Sequence, residues 1–173
     1  MKILDATAGS RGIWYQKNLP FVIFMDKRKG KFVSYFSPKR KRYYDVNPDV
    51  VATWDNMPFE KETFDMVLFD PPHIVKNPSD KKCRMEIQYS SLDKSTWKQT
   101  LKIAFKELFK VLKPEGFLIL KWCETDIKIM EVIKLSPYKP MFSNMSLEHN
   151  PCSRDNYMVV FCKYNPNGIL DIN

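Results

Sequence analysis

Residues 64–73 constrain the fold of this chain more than any other stretch. Residues 66–69 form a short, uninterrupted apolar run, which is typical of a strand buried on both faces of a sheet. The run ends at Asp70, and Pro71 and Pro72 follow at once. Neither proline can continue a central strand, because each lacks a backbone N–H and has a fixed φ. The sequence therefore predicts a central strand that stops at a carboxylate, on the edge where open α/β sheets bind ligands.

The turn after this strand contains groups that suit the binding of an amino group on a planar base. The Asp70 carboxylate and the Pro71 carbonyl are two hydrogen-bond acceptors, and His73 adds a flat ring. The alternative interpretation is that Asp70 only forms the turn that ends a strand. Residues elsewhere in the chain decide between the two.

The length and composition are those of one globular domain. The 173 residues are enough for a sizeable core, and an aromatic content of 14% argues against disorder. No apolar run approaches the roughly 18 residues that indicate a membrane span, and the first residues lack the apolar stretch of a signal peptide. We therefore expect a single domain over residues 1–173, located in the cytoplasm and not in a membrane.

The four cysteines are widely spaced, which favours reduced thiols over a disulfide framework. A zinc site can be drawn from His73, Cys83, His149 and Cys152, but no Cys-x-x-Cys pair anchors it. We therefore expect ordinary thiols and loop histidines, and no metal site.

The net charge of +8 is concentrated in residues 27–44. Eight basic residues and no acidic residue lie between positions 27 and 42, namely Lys27, Arg28, Lys29, Lys31, Lys39, Arg40, Lys41 and Arg42. The other 20 Lys and Arg equal the 20 Asp and Glu in number, so this basic segment carries the whole excess. A concentrated patch indicates a polyanionic partner, and the alternative is a solvated loop.

Aromatic side chains favour nucleic acid as that partner. Phe32, Tyr35, Phe36, Tyr43 and Tyr44 are interleaved with the charges, as in nucleic-acid sites that combine cations with stacking platforms. The candidate contacts are Lys29, Lys31, Lys39, Arg40, Lys41, Arg42 and, outside the basic segment, Arg84.

The start of the chain has the pattern of a nucleotide-binding unit. A short strand at residues 2–4 meets Asp5, small residues with Gly9 and Gly12 follow, and residues 13–17 are expected to begin a short helix. A second apolar strand, residues 21–25, ends in Asp26, 17 residues after Gly9. An acid at that place can accept hydrogen bonds from a ribose diol.

The rest of the chain predicts further alternating strands and helices. A third strand is expected at residues 44–46 or 50–53, and residues 73–93 are expected to form a mobile loop over the site. Asp93 or Ser95 can cap a helix whose core face has Leu101, Ala104, Phe105, Leu108 and Leu112, and which ends at residues 114–116. A strand at 117–120, a helix at 126–135 and two closing strands at 141–147 and 156–164 complete an α/β domain.

With these elements placed, the sequence resembles the class I S-adenosylmethionine-dependent methyltransferases. It is most similar to the amino-methyltransferases that carry an Asp/Asn-Pro-Pro-aromatic motif and act on adenine N6 or a related exocyclic amine. The resemblance lies in residues 4–10 (cofactor loop), Asp26, residues 55–58 (adenine-side turn), residues 64–73 (catalytic motif) and residues 112–118. The chain departs from the family where Ser10 and Arg11 separate two glycines, and where His73 replaces a Tyr, Phe or Trp.

The resemblance implies a Rossmann-like fold, with a mostly parallel seven-stranded sheet, helices on both faces and an antiparallel closing strand. It implies S-adenosyl-L-methionine as cofactor, held by Asp5, Ala6, Thr7, Gly9, Ser10, Asp26, Asp55, Asn56, Met57 and Asp70. It implies a catalytic motif of Asp70, Pro71, Pro72 and His73. The expected activity is methylation of adenine N6 in DNA. The alternatives are RNA or another amine as acceptor, and a nucleic-acid-binding module without catalysis.

Overall fold

The computed structural model describes residues 1–37, 40–80, 86, 90–144 and 156–164, without the side chains of residues 35–37 and 40. The strands, in chain order, are β1 (Ile3–Asp5), β2 (Val22–Asp26), β3 (Gly30–Ser37), β4 (Arg40–Val46), β5 (Val50–Val51), β6 (Phe64–Phe69), β7 (Val75–Lys76), β8 (Leu92–Asp93), β9 (Leu112–Cys123), β10 (Pro140–Ser143) and β11 (Asn156–Cys162). The helices are α1 (Trp97–Val111) and α2 (Ile129–Ile133).

Seven of these strands form one sheet in the order β10-β11-β9-β6-β1-β2-β5. Strands β9, β6, β1, β2 and β5 run parallel, and β11 lies antiparallel to both β9 and β10. The predicted seven-stranded, mostly parallel sheet with an antiparallel closing strand is confirmed. The order reverses between β1 and β6, so the carboxyl ends of those two strands border one crevice.

Helix α1 packs its predicted apolar face against the sheet. Leu101, Ala104, Phe105 and Leu108 are fully buried, and the Phe105 ring lies 6.1 Å from that of Phe69 in β6. Burying each large side chain stabilises the fold by about 1.5–3 kcal/mol.

Both predicted ends of this helix are wrong. Its N-cap residue is Thr96, because Asp93 instead accepts the backbone N–H of Ser95 in the preceding turn, at 2.7 Å. At the other end α1 stops at Val111, and Leu112 already begins β9. The turn predicted at residues 114–116 is an irregularity within β9, where the register against β6 shifts.

The predicted helix at residues 13–17 is also wrong, because residues 6–21 cross from β1 to β2 through turns and bends. Arg11 has a φ of 56°, in the left-handed region, and residues 13–17 form a turn and a bend without helical hydrogen bonding. Trp14 and Leu19 from this crossover segment cover a second small core of Ile3, Ala8, Val22 and Phe24. The two described helices contribute to the same, larger core, so helices on both faces of the sheet are not observed in the described residues.

The basic segment, for which the sequence predicted no helix or strand before residue 44, forms a β-hairpin. Strands β3 and β4 pair antiparallel with each other and form a separate two-stranded sheet. Of the two candidates for the third strand, residues 44–46 belong to this hairpin, and β5 is the strand that joins the main sheet.

The last elements follow the prediction with shifted ends. Strand β9 is longer than the predicted 117–120, and α2 is shorter than the predicted 126–135. Strand β10 ends at Ser143, and residues 145–147 of its predicted range lie outside the described residues. In the described part of the chain, no helix is both long and apolar enough to cross a bilayer.

Candidate active site

A cleft of about 880 Å³ lies at the carboxyl ends of β1, β2 and β6. Asp5, the last residue of β1, and Asp70, the first residue after β6, both line this cleft. The backbone of the cofactor-loop candidate, residues 5–10, lines one side, and residues of the hairpin line another. Binding clefts for small molecules have volumes of about 300–1,000 Å³, so this one can hold a nucleotide-sized ligand.

Asp70 is held in place by contacts from two neighbouring strands. Its backbone N–H donates to the Thr7 hydroxyl at 2.7 Å, which ties the turn to the loop after β1. The Lys121 ammonium, at the end of β9, lies 2.9 Å from Oδ2 of Asp70. Asp70, Thr7 and Lys121 all line the cleft, so the carboxylate is fixed and still accessible to a ligand.

Asp5 is a buried carboxyl group beneath the same cleft. Its two oxygens accept the indole N–H of Trp14 at 2.7 Å and the backbone N–H of Thr7 at 3.1 Å. Burial raises the pKa of Asp5 from 3.8 to about 7; the bonds from Trp14 and Thr7 oppose this shift, and the charges of Asp70 and Asp26 add to it. Asp5 therefore takes up a proton near neutral pH, unless a cation binds beside it.

Asp26 lies at the end of β2 and is only 5% exposed. The backbone N–H of Gly9 donates to its Oδ2 at 2.8 Å, so the loop after β1 and the end of β2 are in contact. Arg28 occupies the rest of the carboxylate: its backbone N–H and Nε donate to Oδ1 at 2.8 and 3.1 Å, and Nη2 donates to Oδ2 at 3.4 Å.

The structure brings together most of the candidate cofactor residues, but not all. Those that line the cleft are Asp5, Ala6, Thr7, Gly9, Ser10, Asp26, Asp55 and Asp70. Two candidates are not among the lining residues: Asn56 is exposed, and Met57 is buried in the core.

The candidate catalytic motif is divided in the same way. Asp70 and Pro72 line the cleft, whereas Pro71 is buried and His73 is half-buried, and neither is a lining residue. The backbone carbonyl of His73 accepts the hydroxyl of Thr125 at 2.7 Å, which fixes the turn from the side of β9.

The basic hairpin forms one wall of the cleft. Arg42, Tyr43 and Tyr44 are among its lining residues, and Lys29, Lys31 and Lys41 are exposed. Lys41 and Tyr43 alternate with Arg42 and Tyr44 along β4, so the two pairs lie on opposite faces of the hairpin. Lys39 and Arg84 lie outside the described residues, and only the backbone of Arg40 is described.

Sequence reasoning assigned no role to three residues of this site, Trp14, Arg28 and Lys121. Trp14 gives no signal, because an aromatic residue near a loop is most often a core residue. Arg28 was counted only as part of a charge cluster. Lys121 ends an apolar run on the ligand edge of the sheet, which is a usable signal, but its partner is 51 positions away.

No metal centre is seen in the described ranges, where no three His, Cys, Asp or Glu side chains are arranged to hold an ion. Cys83, His149 and Cys152 of the candidate zinc site lie outside those ranges. Neither Cys123 nor Cys162 forms a disulfide with another residue that the structure describes.

Solved structures of S-adenosylmethionine-dependent methyltransferases are similar to this chain. An enzyme from Leishmania major shares 12% identity with a TM-score of 0.54, over 92% of this chain and 63% of its own. An enzyme from Methanosarcina mazei shares 12% identity with a TM-score of 0.51, over 94% of this chain and 92% of its own.

A third similar structure contains spent cofactor. It is 1,6-didemethyltoxoflavin-N1-methyltransferase from Burkholderia thailandensis with bound S-adenosylhomocysteine, at 13% identity and a TM-score of 0.53, over 94% of this chain and 70% of its own. No protein-family model and no curated protein sequence matches the chain. At identities of 12–13% the likeness shows the fold, which is that of class I S-adenosylmethionine-dependent methyltransferases.

Proposed function

We propose that the protein is an S-adenosyl-L-methionine-dependent N-methyltransferase that acts on an exocyclic amino group of nucleic acid, adenine N6 in DNA. The observation that carries this proposal is the position of Asp70. Its carboxylate lies in the same cleft as Asp5, Gly9 and Asp26, within a methyltransferase fold.

The residues of the cleft fit the cofactor. Gly9 has a φ of 50° and no side chain, so the backbone of the loop can approach a ligand closely. Asp5 offers a carboxylate for an ammonium group, Asp26 offers one for ribose hydroxyls, and Asp55 lies on the adenine side. When bound, the cofactor supplies a methyl group activated by a sulfonium. The fit at Asp26 requires one change, because Arg28 now occupies that carboxylate.

The role of Asp70 is to orient the acceptor nitrogen. An exocyclic amine on a base is a poor nucleophile, because its lone pair is delocalised into the ring. If the Asp70 carboxylate and the Pro71 carbonyl each accept one N–H, the nitrogen becomes more tetrahedral and its lone pair is directed into the cleft. Pro71 is buried and is not a lining residue, so its carbonyl can accept only after the turn shifts. Positioning and stabilisation of the developing positive charge then supply most of the rate gain, and no strong base is needed.

Pro72 and His73 complete the motif around the base. Pro72 already lines the cleft, whereas His73 does not, so a contact between His73 and the base requires the turn to shift. A base within a duplex has to be flipped out first, which costs a few kcal/mol of stacking and pairing.

The hairpin supports nucleic acid as the acceptor. Lys31 lies on the same face of the hairpin as Lys41 and Tyr43, all three side chains are exposed, and Tyr43 also lines the cleft. Cations together with an exposed aromatic ring can bind a phosphate backbone and stack on a base. RNA offers the same chemistry. A small heterocycle is a further candidate, since the similar enzyme from Burkholderia thailandensis is crystallised with 1,6-didemethyltoxoflavin.

Two measurements test this proposal. Calorimetry with S-adenosylhomocysteine is expected to show binding, and labelled S-adenosyl-L-methionine is expected to transfer its methyl group to DNA in preference to RNA, protein or free nucleosides. Asp70→Ala is expected to abolish transfer while leaving S-adenosylhomocysteine affinity within about threefold, since Asp70 acts on the acceptor.

Each proposed step has an outcome that would contradict it. A wild-type protein that binds DNA but gives no heat with S-adenosylhomocysteine is a nucleic-acid-binding module without catalysis. Equal loss of binding and transfer in Asp70→Ala would make Asp70 a structural residue. Transfer to RNA or to a nucleoside alone would retain the chemistry and replace the acceptor.

A further inference from the structure

Lys121 reaches the catalytic motif from the neighbouring strand. Leu120 of β9 pairs with Phe69 of β6, so the next residues along each strand, Lys121 and Asp70, lie side by side at the carboxyl edge. Their side chains are 29% and 19% exposed, and the ammonium lies 2.9 Å from Oδ2. Both residues line the cleft.

The contact divides the two oxygens of Asp70 between different partners. Oδ2 bonds Lys121, whereas Oδ1 has no hydrogen bond to any residue that the structure describes. The backbone N–H of Asp70 is held by Thr7. With the backbone and one oxygen fixed, Oδ1 is the carboxylate acceptor left for a ligand in the cleft.

We propose that Lys121 is a positioning residue of the methyl-transfer site, which holds Oδ2 of Asp70 so that Oδ1 accepts the N–H of the substrate amine. This inference rests on the proposed function and adds a residue to it. Lys121 acts through Asp70: as an ammonium paired with a carboxylate, it has no lone pair with which to accept the proton of the amine.

The charges around the cleft supply a second reason for a cation at this position. Asp5, Asp26 and Asp70 converge on one edge, and the last two raise the pKa of the first. An unpaired Asp70 would turn toward water or toward whichever donor is nearest. Lys121 offsets part of this negative charge and gives Asp70 a single preferred orientation.

A matched control for the test exists on the same two strands. Lys113 of β9 pairs with Asp65 of β6 at 2.9 Å, the same distance as the pair at the cleft. Lys113 is not a lining residue of the cleft. Lys113→Met therefore removes a cross-strand Lys–Asp pair between the same elements without touching the site.

The experiment compares Lys121→Met, Lys121→Arg and Lys113→Met. Misplacement of a catalytic group by about 1 Å can cost on the order of 100-fold in rate, so Lys121→Met is expected to lower kcat by about 10- to 100-fold. KM for the DNA acceptor and the affinity for S-adenosylhomocysteine are expected to change by less than about threefold. Lys121→Arg is expected to restore most of kcat, and Lys113→Met to retain it.

A double-mutant comparison separates a positioning role of Lys121 from a structural one. In Asp70→Asn, a neutral amide replaces the partner of Lys121, and the Asn-Pro-Pro form of the motif keeps one acceptor oxygen. Adding Lys121→Met to that variant is expected to change kcat by less than about threefold. If Asp70→Asn is inactive, the role of Lys121 is decided by comparing the kcat of Lys121→Met with that of Lys113→Met.

Failure of this inference differs from failure of the proposed function. A wild-type protein without S-adenosylhomocysteine binding and methyl transfer overturns both. A wild-type enzyme that is active, together with a Lys121→Met variant of unchanged kcat, overturns only the role of Lys121. A loss of kcat in Lys121→Met that Lys121→Arg does not restore, or that Lys113→Met shares, also overturns it.

Discussion

At the scale of single residues, Arg28 occupies the Asp26 carboxylate that we propose as the acceptor for the ribose hydroxyls. A carboxylate offers about four acceptor sites, and one bond from Gly9 and three from Arg28 already occupy them. Ribose hydroxyls can reach Asp26 only after the Arg28 guanidinium leaves.

Arg28→Met is therefore expected to bind S-adenosylhomocysteine about three- to tenfold more tightly, a gain of about 1 kcal/mol. Calorimetry measures this, with the exposed neighbour Lys29→Met as control. Weaker binding by Arg28→Met would mean that the guanidinium orients Asp26 for the cofactor. Asp26→Ala is expected to weaken binding in either case.

Asp5 makes the stability of the cofactor-free protein depend on pH. Its pKa is about 7 in the folded protein, against 3.8 as the ordinary value, so the folded state binds the proton more tightly. The contribution of Asp5 to the free energy of unfolding is fully present below pH 4 and is lost as the pH rises to about 7, by up to about 4 kcal/mol.

Asp5→Asn removes this dependence, because an amide does not titrate. Urea unfolding of both proteins between pH 4 and 8 is expected to show that the free energy of unfolding of the wild type falls relative to that of Asp5→Asn. Parallel curves would mean that Asp5 is not buried as a carboxyl group. Other acids, such as Asp65 and Asp93 with lowered pKa values, affect both proteins equally.

The sequence predicted the position of residues that follow their own strand, and it did not predict contacts between residues of different strands or loops. Asp70 and Asp26 were found because each follows an apolar run. The contact of Lys121 with Asp70, and that of Trp14 with Asp5, depends on neighbouring strands and on the exact path of a loop. Neither contact can be inferred from the sequence alone.

At the scale of elements, the crossover segment between β1 and β2 depends on Arg11. Its guanidinium donates to the carbonyl of Asn47 at 3.1 Å and to Asp49 at 3.2 Å, and lies 3.8 Å from the centre of the Phe24 ring. A further bond reaches the carbonyl of Lys17. These contacts hold the irregular segment in place. A helix would not need them, because its backbone N–H and C=O groups bond to one another.

Arg11→Ala is expected to lower the free energy of unfolding by about 2–3 kcal/mol, since hydrogen bonds from charged groups contribute about 1.5–3 kcal/mol. It is also expected to weaken S-adenosylhomocysteine binding, because the same segment places Gly9 and Trp14. Arg11→Lys keeps the positive charge but lacks the planar guanidinium group. It is therefore expected to recover only part of the free energy of unfolding and only part of the S-adenosylhomocysteine affinity. Urea unfolding and calorimetry measure the two effects, and an unchanged free energy of unfolding would contradict the role of Arg11.

Apolar runs predicted the strands well, and turn signals predicted helix ends poorly. Residues 114–116 have a turn composition, but they fit inside β9 because Gly116 has no side chain. A Cβ there would lie 2.9 Å from Leu112 and 3.0 Å from the carbonyl of Asp65. Glycine is thus needed for close packing between strands, which sequence alone cannot distinguish from a helix stop.

At the scale of the whole molecule, the basic hairpin gives the cleft a cationic wall. Lys31 and Lys41 are exposed on one face of it, and α1 has Lys102 and Lys106 exposed elsewhere. The two pairs have the same charge, and only the first lies on the hairpin.

Replacing Lys31 and Lys41 by Gln is expected to weaken DNA binding and to lower the slope of log affinity against log salt by about 2, close to 0.9 per lost phosphate contact. The matched change of Lys102 and Lys106 to Gln is expected to leave the slope unchanged. Fluorescence anisotropy at several salt concentrations measures both. Equal slopes in all three proteins would make the hairpin a solvated surface.

The order of the apolar runs predicted the fold class, but it did not predict which segments cover the faces of the sheet. A mostly parallel seven-stranded sheet with an antiparallel closing strand was predicted, and so was a helix at residues 13–17, where the chain forms an irregular crossover instead. Short segments with little helical periodicity are governed by contacts such as those of Arg11, so their conformation is determined by the rest of the molecule.

The short parallel pair of β7 and β8 ties the turn after β6 to the residues that precede α1. Val75 and Lys76 lie beside Leu92 and Asp93, and the amide of Leu92 donates to Ile74 at 2.8 Å. The two strands therefore join the chain a few residues after Asp70 to the residues that precede α1. Between them, Glu86 bonds Lys76 and Ser91, and Ser90 lines the cleft. The described ends of this stretch are therefore tied to the corner that holds Asp70.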